Sequence, residues 1–180
     1  MSALLIVDDE PNVLSALRRL CLNDAILPAI AATSITTFTS ATDALAYVAD
    51  HPVDLVLSDY RMPEIDGAAF LVRVRELQPD AARIIMSAYS DVDGMVRAIN
   101  HAGIFRFVCK PWSAPDLKAA INEALAYRQL VLENRRLADE VRAQHGIISR
   151  QQLELDRLER ESPGITRVRW SEDGGVLLEE

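Results

Sequence analysis

Apolar and polar residues alternate in blocks over residues 1–126. Five blocks are short and apolar, with the β-branched and aliphatic side chains that are typical of buried strands. They are Ala3–Val7, Ser34–Phe38, Val53–Leu57, Arg83–Met86 and Ile104–Cys109. In the intervening blocks, apolar residues recur every three or four positions, as they do on one face of a helix. The first helical block begins at Pro11, and the other three cover Thr42–Ala49, Asp66–Leu77 and Asp91–Ala102.

Strands that alternate with helices along a chain predict a parallel sheet with helices on both of its faces. We therefore predict an α/β fold built on a five-stranded, doubly wound parallel sheet. One connection, from Leu22 to Ser34, is long and apolar. It could lengthen the first helix or cover an edge of the sheet.

A long helix is predicted after the last strand. Between Asp116 and Glu161 the chain has no proline and a single glycine, Gly146. A helix of this length extends roughly 69 Å at 1.5 Å per residue. Two series of residues repeat at intervals of seven along it. They are Tyr127, Asn134, Val141, Ile148 and Leu155, and, three residues ahead, Leu130, Leu137, Gln144, Gln151 and Leu158.

Placed at the a and d positions of a heptad, these two series predict a coiled coil. A single solvated helix is the alternative, but it would leave the leucine and isoleucine side chains of the stretch in water. Asn134 at an a position favours two strands in a fixed register. We therefore expect a parallel homodimer through residues 127–160.

The last residues predict a small β-hairpin. Pro163 and Gly164 end the helix. Ile165–Trp170 alternates apolar and polar residues, Ser171–Gly175 has turn composition, and Val176–Leu178 is apolar. The expected organisation is a globular domain over residues 1–126, a coiled-coil helix over 127–161 and a hairpin over 162–180.

Net charge, cysteine content and the length of apolar stretches disfavour some classes of function and indicate the cellular compartment. The net charge of −8 disfavours direct binding of nucleic acid, which normally requires a basic surface. The two cysteines, Cys21 and Cys109, lie in apolar stretches and lack the spacing of a metal site or a disulfide framework. No apolar stretch approaches the roughly 20 residues of a membrane span, and the opening run is too short for a signal peptide. We expect a cytoplasmic protein without membrane insertion.

Candidate chemistry gathers at the carboxyl ends of the predicted strands. Asp8 and Asp9 follow the first strand, Asp59 follows the third, Ser87 the fourth and Lys110 the fifth. In open parallel sheets the carboxyl ends of the strands share one edge, and ligands bind there. Three carboxylates, a hydroxyl and an ammonium are therefore expected to meet.

A cluster of three carboxylates is unfavourable without a compensating cation, because like charges at close range oppose ionisation. Mg²⁺ removes this difficulty, since it prefers oxygen ligands and retains several waters. An aspartate can attack phosphorus and form an acyl phosphate. A metal ion, a lysine and a hydroxyl would stabilise the charge on the transferred group.

Four stretches in this order resemble the receiver domains of two-component response regulators. They are Ile6–Pro11, Ser58–Gly67, Met86–Tyr89 and Phe107–Trp112. The resemblance covers about residues 1–126. The same motifs are also similar to those of the receivers that head regulators of the HD-GYP type. The resemblance implies a flavodoxin-like fold and phosphorylation by a sensor histidine kinase.

The resemblance also implies a metal site. Asp9 would be the direct Mg²⁺ ligand, and Asp8 would act on the ion through water. Asp59 would contribute a carboxylate oxygen, and the backbone carbonyl of Arg61 would complete the protein's share of the ligands.

The same resemblance makes Asp59 the phospho-acceptor, with Ser87 and Lys110 binding the phosphoryl oxygens. Phe107 would be an aromatic switch that moves inward when Ser87 shifts. The Lys110–Pro111 peptide bond is expected to be cis. Simpler interpretations remain: Asp8 as a helix cap, Lys110 as a solvated lysine and Phe107 as ordinary core.

The sequence therefore predicts a response regulator that is phosphorylated on Asp59 and signals through a coiled-coil dimer to an unidentified output protein. No separate catalytic output domain is predicted, so we do not expect an enzyme. The alternative is a regulatory subunit for a separate cyclic-di-GMP phosphodiesterase or another output enzyme. Residues 127–180 contain no histidine-aspartate motif that could hydrolyse cyclic-di-GMP. The sequence also has no recognition helix that would indicate a transcription factor.

Overall fold

The computed structural model describes residues 2–22, 34–88 and 102–161 of the 180-residue chain, without the side chains of residues 148 and 149. The chain divides into two compact units between Leu132 and Glu133. The apolar connection before Ser34, the predicted helix Asp91–Ala102 except for its last residue, and the predicted hairpin over residues 162–180 lie outside the described residues.

Five parallel strands form one sheet, which confirms the predicted fold class. The strands are β1 (Ala3–Val7), β2 (Ser34–Phe38), β3 (Leu55–Asp59), β4 (Ala82–Ala88) and β5 (Arg106–Lys110). Their order across the sheet is β2-β1-β3-β4-β5. β3 begins two residues later than predicted. The backbone N–H of Val53 donates to the side chain of Gln78 at 2.8 Å, so Val53 is held by a loop contact although it is buried.

Four helices are described: α1 (Pro11–Leu22), α2 (Ala41–Asp50), α3 (Gly67–Leu77) and α4 (Ala114–Glu161). Three of these helices are N-capped by a short polar side chain, which accepts a hydrogen bond from a backbone N–H group. Ser40 accepts from Asp43 at 3.2 Å, and Asp66 accepts from Ala69 at 2.7 Å. The hydroxyl of Ser113 accepts from the N–H of Asp116 at 3.2 Å, so α4 starts two residues before its predicted start.

The alternation of side chains in the strands produces two cores. One, the α1/α4 cluster, includes Ile6, Leu57 and Val108 and is covered by α1 and α4. The other, the α2/α3 cluster, includes Val7 and Ile85 and is covered by α2 and α3. Helices on both faces confirm the doubly wound arrangement.

Beyond Leu132, α4 is exposed along most of its described length. The charged side chains form ion pairs along the helix, such as Arg136 with Glu133 and Arg142 with Asp139, both at 2.7 Å. Within the described residues, no helix is long and apolar enough to cross a membrane.

Arg83 is a buried charge at the amino end of β4, with 8% of its surface exposed. Its guanidinium donates to the carbonyl oxygens of Ala81 at 2.6 Å and Ala102 at 2.9 Å. Burial, together with the charge of Arg75, lowers the pKa of Arg83. The carbonyls replace water around the charge, and Arg83 joins the start of β4 to the loop before β5.

We expect Arg83→Met to lower the free energy of unfolding by about 3 kcal/mol, because it fills a similar volume but leaves buried carbonyls without a donor. Urea denaturation measures this loss. The matched control is Arg136→Met on the exposed part of α4, where a change within about 0.5 kcal/mol is expected. Equal effects of the two substitutions would contradict a structural role for the Arg83 hydrogen bonds.

Candidate functional site

The predicted acidic residues meet at the point where the chain order across the sheet reverses. β1 lies between β2 and β3, so successive strands leave it in opposite directions. A crevice at the carboxyl ends of the strands is expected at such a point. Val7 pairs with Ser58 in the sheet, which places the next residues, Asp8 and Asp59, side by side.

Lys110 bridges the two buried carboxylates. Its Nζ atom lies 2.8 Å from Asp8 Oδ2 and 2.7 Å from Asp59 Oδ1. Asp8 is completely buried, and 7% of Asp59 is exposed. The Lys110 side chain is 23% exposed. It is therefore an internal partner of both acids, and the solvated alternative for this lysine is wrong.

Strand periodicity explains which of these groups meet. Asp8, Asp59 and Lys110 each follow by two residues a strand residue of the α1/α4 cluster, so they lie on the same side of the sheet. Asp9 and Ser87 follow by two residues a residue of the α2/α3 cluster. Ser87, within β4, is therefore on the opposite side of its strand from the ion-paired group, whereas Asp9 lies beyond the end of β1 and brings an oxygen within 4.8 Å of those of Asp8 and Asp59.

Burial has opposite consequences for the acid and the base of this pair. Burial raises the pKa of the Asp59 carboxyl, and the charge of Asp8 adds to this effect, although Lys110 opposes it. Burial by itself would lower the pKa of Lys110. Hydrogen bonds and charges from Asp59 and Asp8 outweigh burial and raise the Lys110 pKa. The same ion pair thus opposes the effect of burial on both the acid and the base.

Asp8 uses its two carboxylate oxygens for two different contacts. Its Oδ1 atom accepts the backbone N–H of Glu10 at 3.0 Å, just before α1, while Oδ2 bonds Lys110. A local turn contact and a long-range ion pair therefore use different oxygens of the same carboxylate.

A cavity of about 340 Å³ opens over this pair. Its lining residues are Asp9, Glu10, Asp59, Arg61, Ser87, Ala88 and Lys110. Asp9 and Arg61 are exposed, whereas Ser87 is 2% exposed at the end of β4. The sequence-predicted site residues thus share one cavity, except Asp8, which lies buried against Lys110, and Phe107.

The carboxylates suit a hard divalent cation. One oxygen from each of Asp8, Asp9 and Asp59 lies within 4.8 Å of the others. Three anionic oxygens at this spacing, next to an open cavity that admits water, match the ligand preference of Mg²⁺. The donor set therefore fits the predicted metal.

Gly67 is a site-shaping residue that sequence analysis did not single out. A Cβ atom at this position would lie 1.9 Å from the backbone oxygen of Asp59 and 3.0 Å from the Tyr60 Cα. The Gly67 N–H donates to the Tyr60 carbonyl at 2.8 Å. Only a residue without a side chain allows α3 to start this close to Asp59. The Asp66-Gly67 pair in the sequence was a signal that could have indicated it.

Glu64 is a second residue near the site whose role no pattern in the sequence indicated. Its carboxylate accepts from the Thr42 hydroxyl at 2.5 Å and from the Ser40 hydroxyl at 3.2 Å. The hydrogen bonds from Thr42 lower the pKa of Glu64. The loop that carries Arg61 is thereby attached to the start of α2, through contacts that span more than 20 positions in the chain.

Phe107 lies outside the cavity lining but on the same side of the sheet as Ser87. Ile85 pairs with Phe107 and Ser87 pairs with Cys109 in adjacent strands. Phe107 is half-buried and packs against the α2/α3 cluster. The Lys110–Pro111 peptide bond is cis, as the sequence predicted.

Comparison with known proteins gives a family for this arrangement. Residues 4–122 match the response regulator receiver domain family. The signal receiver domain of an HD domain-containing protein from Pseudomonas fluorescens Pf-5 has a similar structure, with a TM-score of 0.65 and 30% identity. The similarity covers 73% of this chain and 92% of that one.

Two curated relatives are transcriptional regulators. The hydrogenase transcriptional regulatory protein HoxA of Bradyrhizobium diazoefficiens is 35% identical over 147 residues, which are 82% of this chain and 29% of that protein. The DNA-binding transcriptional regulator NtrC of Salmonella typhimurium is 33% identical over 124 residues, covering 69% and 25%. This chain therefore spans less than a third of either relative's length. By its family match and by the fold around its acidic cavity, the chain belongs to the response regulator receiver domain family.

Proposed function

We propose that this receiver accepts a phosphoryl group on Asp59 from a sensor histidine kinase, with Mg²⁺ as cofactor. The observation that supports the proposal most directly is the position of Asp59. It is a buried carboxylate with an edge in an open cavity, 2.7 Å from a lysine and beside Asp9 and Ser87. A carboxylate in this setting can act as a nucleophile whose product is stabilised by fixed charges.

In the proposed reaction, an oxygen of Asp59 attacks the phosphorus of a phosphohistidine. The new P–O bond forms as the P–N bond breaks, and the electron pair remains on the leaving imidazole. Lys110 releases Asp59 Oδ1 and binds a phosphoryl oxygen, while its bond to Asp8 keeps it in place. Ser87 donates to a second oxygen. Mg²⁺, held by Asp8, Asp9, Asp59 and the Arg61 carbonyl, would neutralise charge on the transferred group.

We expect Asp59→Asn to abolish the binding of beryllofluoride, a phosphoryl mimic that requires the acceptor carboxylate. Fluorine NMR of the full chain with Mg²⁺ should show bound beryllofluoride for the wild type and none for this variant. Asp43→Asn, which changes an exposed acid in the first turn of α2, is the control and should bind as the wild type does. Bound signal in Asp59→Asn would assign the acceptor to another residue.

We expect Gly67→Ala to weaken beryllofluoride binding by more than about tenfold, or about 1.4 kcal/mol, because the new Cβ must displace the backbone of Asp59. Titration followed by fluorine NMR measures this. Gly146→Ala is the control, since nothing lies within 4 Å of a Cβ at that position. It should leave binding unchanged and stabilise α4 by about 1 kcal/mol. Unchanged affinity in Gly67→Ala would mean that Asp59 tolerates the shift.

For the output we propose a parallel coiled-coil homodimer through residues 127–160. The predicted seam is exposed in the single chain: Leu130 is 61% exposed, Leu137 45%, Val141 50% and Leu155 47%. Exposed leucines at heptad spacing favour burial against a second helix. The ion pairs described along α4 involve none of the predicted a and d residues. The charged side chains of these pairs thus lie outside the seam, whose polar members are the uncharged Asn134, Gln144 and Gln151.

We expect the double variant Leu137→Lys/Val141→Lys to sediment as a monomer, because it would bury unpaired charges in the seam. The control is Arg136→Ser/Asp139→Ser, which changes exposed residues outside the seam and should keep the wild-type sedimentation coefficient. If both variants and the wild type sediment alike as dimers, the interface lies elsewhere.

We further propose a protein as the target of this output and the cytoplasm as its location. The regulators HoxA and NtrC match this chain over 147 and 124 residues, which are only 29% and 25% of their own length. A second candidate is control of a separate output enzyme, including a cyclic-di-GMP phosphodiesterase. The structural similarity to a receiver of an HD domain-containing protein favours it. Affinity capture with and without beryllofluoride, followed by an assay of the captured protein, distinguishes the two candidates.

A further inference from the structure

Arg128, on α4, binds two groups at the amino edge of the sheet, the edge opposite the acidic cavity. Its Nη1 atom lies 2.7 Å from Asp54 Oδ1, and its Nε donates to the carbonyl oxygen of Asp80 at 2.9 Å. The side chains of Arg128 and Asp54 are 22% and 20% exposed. These partly buried, charge-assisted contacts are stronger than the exposed pairs farther along the helix.

Asp54 is firmly attached to the beginnings of three strands. Its second carboxylate oxygen accepts the N–H of Ala3 at 2.6 Å, and its own N–H donates to the Ala3 carbonyl at 2.8 Å. The Asp54 carbonyl accepts from Ala82 at 2.9 Å. Asp54 itself immediately precedes β3. The Arg128 guanidinium is therefore connected directly to a rigid part of the sheet.

Two further contacts position the same stretch of α4 beside β5. The ring of Phe105 lies 5.2 Å from the ring of Tyr127, and Arg106 forms an ion pair with Glu123. Leu130 follows Arg128 by two residues, or about 200° around the helix. It is 61% exposed, in agreement with a position on the side of α4 away from the sheet.

We propose that Arg128 is a positioning residue whose clamp on Asp54 and the Asp80 carbonyl fixes the rotation of α4 at the amino edge of the sheet. With the helix held in this rotation, Leu130 points away from the sheet and is available to the helix of a second copy. The role of Leu130 rests on the proposed dimer, whereas the clamp does not.

The clamp also determines how movement at the cavity can reach the helix. α4 starts after Ser113, close to Lys110, and reaches Arg128 about 22 Å later. A displacement at the start of α4 that leaves the clamp intact would therefore change the tilt of the helix and not its rotation at Arg128.

Hydrogen exchange on the full chain tests the clamp. In Arg128→Gln we expect amides of residues 124–131 and of Ala3 to exchange about tenfold faster, and those of β3 and β4 next to Asp59 to keep their wild-type rates. Asp54→Asn should reproduce this pattern and Arg128→Lys should restore part of the protection. The control is Arg136→Gln, an arginine of the same helix with exposed partners. No local increase, or a uniform increase over the whole sheet, would overturn the proposal.

Cysteine cross-linking between copies tests the rotation. In the wild-type background, Leu130→Cys should cross-link faster than Leu132→Cys, and Arg128→Gln should bring the two rates together. A ratio that is unaffected by Arg128→Gln would overturn the positioning role. If Leu130→Cys and Leu137→Cys both fail to cross-link, the proposed dimer is wrong, while the exchange result still decides whether the clamp exists.

Discussion

The bond of Lys110 to two buried aspartates is the constraint on which the candidate site depends. Two carboxylates that face each other across adjacent strands would repel each other in a region with little water. The ammonium of Lys110 lies between them, at 2.8 and 2.7 Å. It arrives from β5, at the far edge of the sheet from β2, so the pairing is possible only when all the intervening strands are in register. The charged group therefore depends on the correct register of these strands.

This constraint also accounts for the shape of the neighbouring loops. Asp59 must end β3 at the same level as Asp8, and the chain must then turn away at once to start α3. Gly67 allows that turn because α3 starts against the backbone of Asp59. Glu64 holds the loop between them by its bonds to Ser40 and Thr42. The loop that carries Arg61 is thus restrained at both ends, which favours a preformed cavity over one that is assembled by a ligand.

The sequence predicted the sheet well because strand and helix periodicities differ and because charged residues mark the strand ends. β1 and β2 have the predicted limits, and the strand-end acids, hydroxyl and lysine lie at one edge. Side-chain contacts made by residues outside the strand ends were not predictable in this way. Gln78 fixes Val53, and Arg83 satisfies carbonyls on two segments. Such bonds depend on where loops meet in space, and no spacing in the sequence encodes them.

The two edges of the sheet contact the same helix in different ways. At the carboxyl edge, a cis peptide bond joins Lys110 to Pro111 and α4 begins three residues later. A proposed transfer to Asp59 would take Lys110 from one acid to a phosphoryl oxygen, so the start of α4 lies beside the group that must move. At the amino edge, Arg128 binds Asp54, whose backbone belongs to the hydrogen-bonded starts of the strands. One attachment is next to the ion pairs of Lys110, and the other is to a residue that is hydrogen-bonded to the starts of β1 and β4. The proposed phosphorylation and the proposed dimer would therefore act on one helix, the first at its start and the second beyond Arg128.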